Sequence, residues 1–360
     1  MIGRRARRPV GAGLVLAGLV LAGCGSDAGS DAGTAPEADA PTVWFRGDGP
    51  ITTPIDDAWV LHPDSDAVAA MLNEPDTNQV VNTESFAVPV VESDPSLPLV
   101  PLTITRSNVD DWGTNDLSTI DGLQIPDDTR AAPGSDGKLV VIDREHDRVL
   151  DMFQAVRTDT GWEATWGGVY PLSGNGSSEF PVYEGQGPNG REFPLPISRA
   201  TGSGLSSLAG LLTVADVAAG EIDHALVFAT DRACGPENLG PFHDPATTTD
   251  GWVTDQTCID EGARIQLDPS LDLDAMGLTP AELMVGRALQ RYGAFCIDNG
   301  GSRIGFIAEL PADDAGVAVY RTAGFEGDYS LLDGIPWDQL RVLVPAADVP
   351  ADVSADETAG

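Results

Sequence analysis

A chain of 360 residues, 42% of them hydrophobic, is long enough to bury a sizeable core. Its 56 acidic side chains against 20 basic ones leave a formal net charge of −36, a field that repels nucleic acid and anionic lipid headgroups and excludes binding to either. The same field disfavours a polyanionic substrate unless a local arginine cluster or a bound cation reverses it.

The first 23 residues combine a basic start (Arg4, Arg5, Arg7, Arg8) with an apolar run, residues 10–22, that is too short to cross a bilayer comfortably. This is the layout of a cleavable export signal, and its end, Leu21-Ala22-Gly23-Cys24, resembles the bacterial lipoprotein lipobox. The resemblance implies cleavage before Cys24 and a lipid (palmitate) anchor on that residue, holding the chain to the extracytoplasmic face of the cell membrane. An ordinary secretory signal with a chance cysteine is the competing reading. Losing the four arginines takes the mature chain to about −40. Residues 24–41 read as a flexible tether, because after Cys24 they hold only Gly, Ser, Asp, Ala, Thr, Pro and Glu.

Residues 42–137 are broken by prolines at 89, 95, 98, 101, 126 and 133. They predict a short helix over 66–73, capped by Asp64 or Ser65, and strands near 86–91 and 99–104. This stretch reads as an N-terminal arm packing on a main domain at 138–345. That domain opens with a strand over 138–143, a charged turn and a second strand over 149–156 that returns as a hairpin. Further strands are expected at 161–166, 222–229, 263–267, 294–297 and 304–307. Thr279-Pro280-Ala281-Glu282 combines a capping threonine, proline at the first helical position and a glutamate, opening a helix over 281–292. Residues 346–360 read as a disordered acidic tail. The expected fold is mainly β: an antiparallel β-sandwich of jelly-roll type with one or two short helices.

Three cysteines follow Cys24. Cys234 and Cys258 flank a loop rich in Gly, Pro, Asp and Thr, and a disulfide between them would pin that loop. Cys296 stands in an apolar run and reads as a buried small hydrophobe.

Three segments, Gly220-Glu221-Ile222-Asp223-His224-Ala225-Leu226, Leu289-Gln290-Arg291-Tyr292-Gly293 and Ile297-Asp298-Asn299-Gly300-Gly301, stand out together with Leu139-Val140-Val141-Ile142-Asp143. Over roughly 138–310 they resemble a family of exported actinobacterial proteins of unassigned activity. Pro245-Ala246-Thr247 and Asp250-Gly251 share that likeness. The resemblance implies the domain boundary and the exported setting, and carries no catalytic role.

Candidate catalytic residues are Asp143, His224, Tyr292 and Asp298. His224, in an alternating segment, reads either as a half-buried histidine bonded to backbone or as a general base on a sheet face. Asp298 opens a turn after a strand, or presents a carboxylate where neighbouring strands converge. Asp143 stands likewise at a strand end, with an ion pair to Arg144 as the plainer role. If Asp143, His224 and Asp298 shared one pocket, acid–base chemistry on a sugar would follow. Trp252 and Asn299 are candidate ligand contacts. Trp162 and Trp166 form either core or a stacking platform for sugar rings. The four histidines show no zinc spacing, so neither metal nor cofactor is expected. The expected function is a lipid-anchored extracytoplasmic protein acting on or binding a glycan, in the manner of a glycoside hydrolase or polysaccharide lyase. The alternative is a non-catalytic envelope lipoprotein that binds a glycan or a protein partner.

Overall fold

The strand Ala294–Asn299 decides the layering, because its side chains alternate between two cores. Ala294 and Cys296 face one core, and Phe295 and Ile297 face the other. Its neighbour Leu226–Thr230 repeats the pattern, with Leu226 and Phe228 on the first side and Val227 on the second. Strands buried on both faces belong in the middle of a layered stack.

In the computed structural model these two are the central strands of an eight-stranded sheet. Its order is Trp59–Leu61, Leu340–Pro345, Arg264–Leu267, Ala294–Asn299, Leu226–Thr230, Ile304–Ile307, Gln79–Asn82 and Ser330–Leu331. The residues described are 44–45, 48–106, 108–109, 113–114, 116–177, 183–186, 192–195, 199–235, 242–254 and 257–349. All of them fall within one compact unit spanning 38–360. The expected signal and tether, Cys24 and most of the expected acidic tail lie outside the described residues.

Helices cover one face of the large sheet: α1 (Ser65–Leu72), α3 (Pro280–Arg291) and α4 (Asp314–Ala323) bury Leu72, Val285, Leu289 and Tyr320 in its first core. A shorter helix, α2 (Val214–Ala219), adds Val217. The other face packs on a four-stranded sheet ordered Trp166–Pro171, Arg148–Phe153, Leu139–Asp143 and Val90–Glu92, through Val140, Ile142, Val149 and Tyr170. The far side of that second sheet buries Leu139, Val141, Leu150 and Met152 against a third, ordered Val156–Arg157, Trp162–Ala164, Val100–Ile104 and Gly122–Leu123. The stack is therefore helices, then three sheets.

This is a β-rich fold with three departures from expectation. The sheets are mixed rather than antiparallel: Leu226–Thr230 runs parallel to Ala294–Asn299, and Ile304–Ile307 runs parallel to Gln79–Asn82. Parallel neighbours require a crossover over the sheet, and α3 lies within the one from Leu226–Thr230 to Ala294–Asn299. Four α-helices are present among the described residues instead of one or two. The 42–137 segment does not merely lie on the main sheet, since Trp59–Leu61 and Gln79–Asn82 are hydrogen-bonded strands within it. No helix among the described residues is long and apolar enough to cross a membrane.

The capping box opens α3 as the sequence predicts. Thr279 Oγ1 accepts from the Glu282 N–H, and the Glu282 carboxylate accepts from the Thr279 N–H. Cys234 and Cys258 form a disulfide, and Cys296 is a buried free thiol. The bridge closes a loop with a sequence separation of 24, for which chain-entropy arguments give about 3 kcal/mol. Replacing both cysteines with serine should therefore lower the unfolding free energy by about 2–4 kcal/mol in denaturant titrations. An unchanged midpoint would show that the loop contributes nothing to global stability.

Candidate functional site

The central strand ends in the polar pair Asp298-Asn299, and its register explains where they point. Phe228 pairs with Cys296, but Ala229 pairs with Asp298, so Ile297 is an extra residue in the ladder. Such a bulge re-aims the residue after it. Strict alternation would turn Asp298 toward the helices. The shift aligns it with Ala229 instead, on the side of the second sheet.

There Asp298 lines a cleft of about 480 Å³. The ends of two second-sheet strands contribute Phe153, Gln154 and Trp166. The segment 199–202 supplies another wall, Arg106 a third, and Asp250 closes it from the loop held by the disulfide. The Asp298 carboxylate accepts from the N–H of Gly202 (3.2 Å) and of Asn299 (3.0 Å). Lys138, the only lysine in the chain and only 5% exposed, places Nζ 3.7 Å from Asp298 Oδ2. Burial pushes the Asp298 carboxyl up to about 7 against the pull of Lys138, and the nearby Asp250 charge pushes the same way.

Asp250 is clamped by Asn299, whose Nδ2 donates to its backbone oxygen (2.7 Å) and to Oδ1 (2.6 Å). Behind it lies Glu261, 1% exposed. No N–H reaches the Glu261 oxygens, and the neighbour of its carboxyl is that of Asp250. Burial, then the Asp250 charge, raise Glu261 well above its ordinary value. One proton shared by the two acids satisfies both, with Glu261 as donor. Gly202 makes this proximity fit: a Cβ there would collide with the Asp250 carboxylate and with Glu261 Oε1. Deeper between the sheets, Asp151 is also buried, and burial pushes it up to about 6. The Ser207 N–H, the Lys138 charge and the Ser206 hydroxyl oppose that rise. Among the described residues no three His, Cys, Asp or Glu side chains are grouped to hold a metal ion.

The other sequence candidates lie elsewhere. His224 precedes its strand, which starts only at Leu226. Its ring is buried, with Nδ1 2.9 Å from the Ala225 carbonyl and Nε2 3.3 Å from Asp216 Oδ2. Both nitrogens are thus engaged, Nδ1 by the adjacent carbonyl and Nε2 by Asp216 of α2. Tyr292 is buried at the end of α3, where Arg264 Nε donates to its carbonyl. Asp143 pairs with His146 and Arg148, not with Arg144, which binds Glu92. Burial tends to raise Asp143, but hydrogen bonds from His146 and Arg148 outweigh it and hold the carboxyl below its ordinary value. The convergence of Asp143, His224 and Asp298 on one pocket does not occur, since none of the three shares a partner with another.

Trp162 is core, while Trp166 lies in the next strand and lines the cleft, the chain having changed sheets at Thr165. Trp252 is 68% exposed, two residues beyond Asp250. Sequence reasoning missed Asp250, Glu261, Arg106 and Arg199 as site residues. The signals available were a lone lysine before a buried strand and an Asp-Gly pair in the disulfide loop.

Asp151 and Asp298 have folded pKa values above the ordinary 3.8, so each adds stability that is complete below about pH 4 and is lost as pH rises through about 6 and 7. Lys138→Met should steepen that loss. Its thermal midpoint should fall little at pH 4.5 and far more at pH 8, where removing one partner of a buried pair costs about 3–5 kcal/mol. Equal losses at both pH values would contradict the pairing. Gly202→Ala, measured the same way, should cost about 1–3 kcal/mol through overpacking against Asp250 and Glu261.

No protein-family model, curated protein or solved structure matches this chain.

Proposed function

We propose that this is a lipid-anchored extracytoplasmic protein whose cleft acts on a glycan. The observation that carries the reading is the pairing, in one aromatic-lined cleft, of two unlike carboxyls. Asp298 is poised by burial to hold a proton near neutral pH, and Asp250 is fixed beside it by Asn299. Cleavage of a glycosidic bond needs a proton donor for the leaving oxygen and a second carboxylate for the opposite task. Trp166 and Phe153 offer apolar faces on which a sugar ring stacks. Asp298 is the acid in this scheme and Asp250 the second carboxylate. Lys138, Gly202 and Asn299 position them. The export signal and Cys24 supply the setting, placing the domain where polysaccharides are met.

A non-catalytic glycan-binding role is the second reading, favoured by the exposed ring of Trp252.

The two separate on a panel of polysaccharides offered to the full-length protein in detergent, with product release and binding both measured. Catalysis should fall on the alkaline side with an apparent pKa near 7 as Asp298 loses its proton. Asp298→Asn should lower turnover by about 10²–10⁴-fold while retaining binding. Binding without turnover in the wild type would leave the second reading. Neither binding nor turnover across the panel would end both.

A further inference from the structure

The cleft selects, we infer, a carboxylate-bearing sugar, with Arg106 as the residue that recognises the acid group; this rests on the glycan reading above. The argument begins from the scarcity of cations. With 20 basic against 56 acidic residues, an arginine here has carboxylates to spare. Arg144, Arg148, Arg157, Arg287, Arg303 and Arg341 each pair with an acid, as does Lys138. Arg106, like Arg130 and Arg321, is exposed and makes no ion pair among the described residues, but of these three only Arg106 lines the cleft that holds Asp250 and Asp298. Arg199 stands in the same lining, and its charge reaches Glu261.

The lining is therefore divided in sign, with the carboxyls of Asp250 and Asp298 and the guanidiniums of Arg106 and Arg199 in one cleft, in a chain that is otherwise strongly acidic. A neutral sugar gains nothing from that division. A uronate does: its carboxylate is repelled by Asp250 and drawn to a guanidinium, which favours orientations of the ring that set the acid group against an arginine. A guanidinium fork fits a carboxylate with two parallel hydrogen bonds, which turns attraction into orientation. The ring hydroxyls then face Asp250 and Asp298, as cleavage requires. Two arginines are also what a chain of this charge needs to admit an anion at all.

The test measures binding of a polyuronate oligosaccharide and of its carboxyl-reduced, neutral counterpart to the full-length protein in detergent, at low and high salt. Asp298→Asn serves as the non-cleaving form. The uronate should bind at least tenfold more tightly than the reduced oligomer, and the gap should narrow with salt. Arg106→Gln breaks no ion pair among the described residues, and should weaken uronate binding about tenfold while leaving the reduced oligomer unchanged. Equal affinity for the two oligomers, or an equal loss for both in Arg106→Gln, overturns the acidic-sugar inference and leaves the glycan reading standing. A sulfated oligosaccharide that binds more tightly than the uronate also overturns it. If neither oligomer binds and the neutral panel is likewise silent, the glycan reading itself fails.

Discussion

One inserted residue in the central strand holds fold and site together. Up to Cys296 the strand Ala294–Asn299 obeys strict alternation, and that alternation is what lets a helical layer and a second sheet share it. Had alternation continued, a carboxylate would project into the core formed with α1, α3 and α4, where only apolar groups wait. The bulge at Ile297 avoids that cost and delivers Asp298 to a place between the sheets where a cation, Lys138, stands. Lys138 arrives there for a matching reason. It immediately precedes Leu139–Asp143, whose apolar residues leave no other exit for a buried ammonium than the carboxylates facing it.

The acids around this point are held in a state that burial disfavours. Asp151, Asp298 and Glu261 are all raised, and one lysine cannot neutralise three charges. The fold resolves the excess with protons. A buried carboxyl that keeps its proton near neutrality is a stability cost at higher pH and, at the mouth of a cleft, a chemical asset. The same groups on the surface, like the many other acids of this chain, would be ionised and could donate nothing.

Much of the fold was legible from local pattern. The hairpin around 139–153, the strands at 264–267 and 304–307, the strand at 294–299 as far as Ile297, helix α3 and the disulfide all follow from periodicity, capping or loop chemistry in their own segments. Helices α2 and α4 were missed although their ends were marked. Thr213 and Asp216 form a capping box, and Asp313 and Gly324 bracket α4. Their bodies, rich in alanine, show too little apolar stripe for the period to register. The strand Leu340–Pro345 escaped for a similar reason, as a short apolar run without alternation. His224 lies outside the strand because the apolar alternation of the sequence begins at Ile222, four residues before the strand does. The site was legible only at Asp298 and Asn299. Arg106, Lys138, Arg199, Asp250 and Glu261 meet through the packing of two sheets, and nothing in the spacing of 106, 138, 199, 250 and 261 encodes that meeting.

Asp250 shows why the disulfide matters beyond stability. It sits on a segment with no regular strand to hold it, tied by isolated bridges from Ala233 to Ile259 and from Cys234 to Val253. Gly251 lies so close to the Cys234 carbonyl that no side chain fits between them, and Thr249 Oγ1 donates to that same carbonyl. The sulfur bridge fixes the two ends of this irregular stretch, and Asn299 then fixes its carboxylate from the central strand. A site so built depends on an oxidising compartment for one of its two carboxyls. A loop stapled covalently in this way can hold a carboxyl in a cleft without a strand or helix directly beneath it.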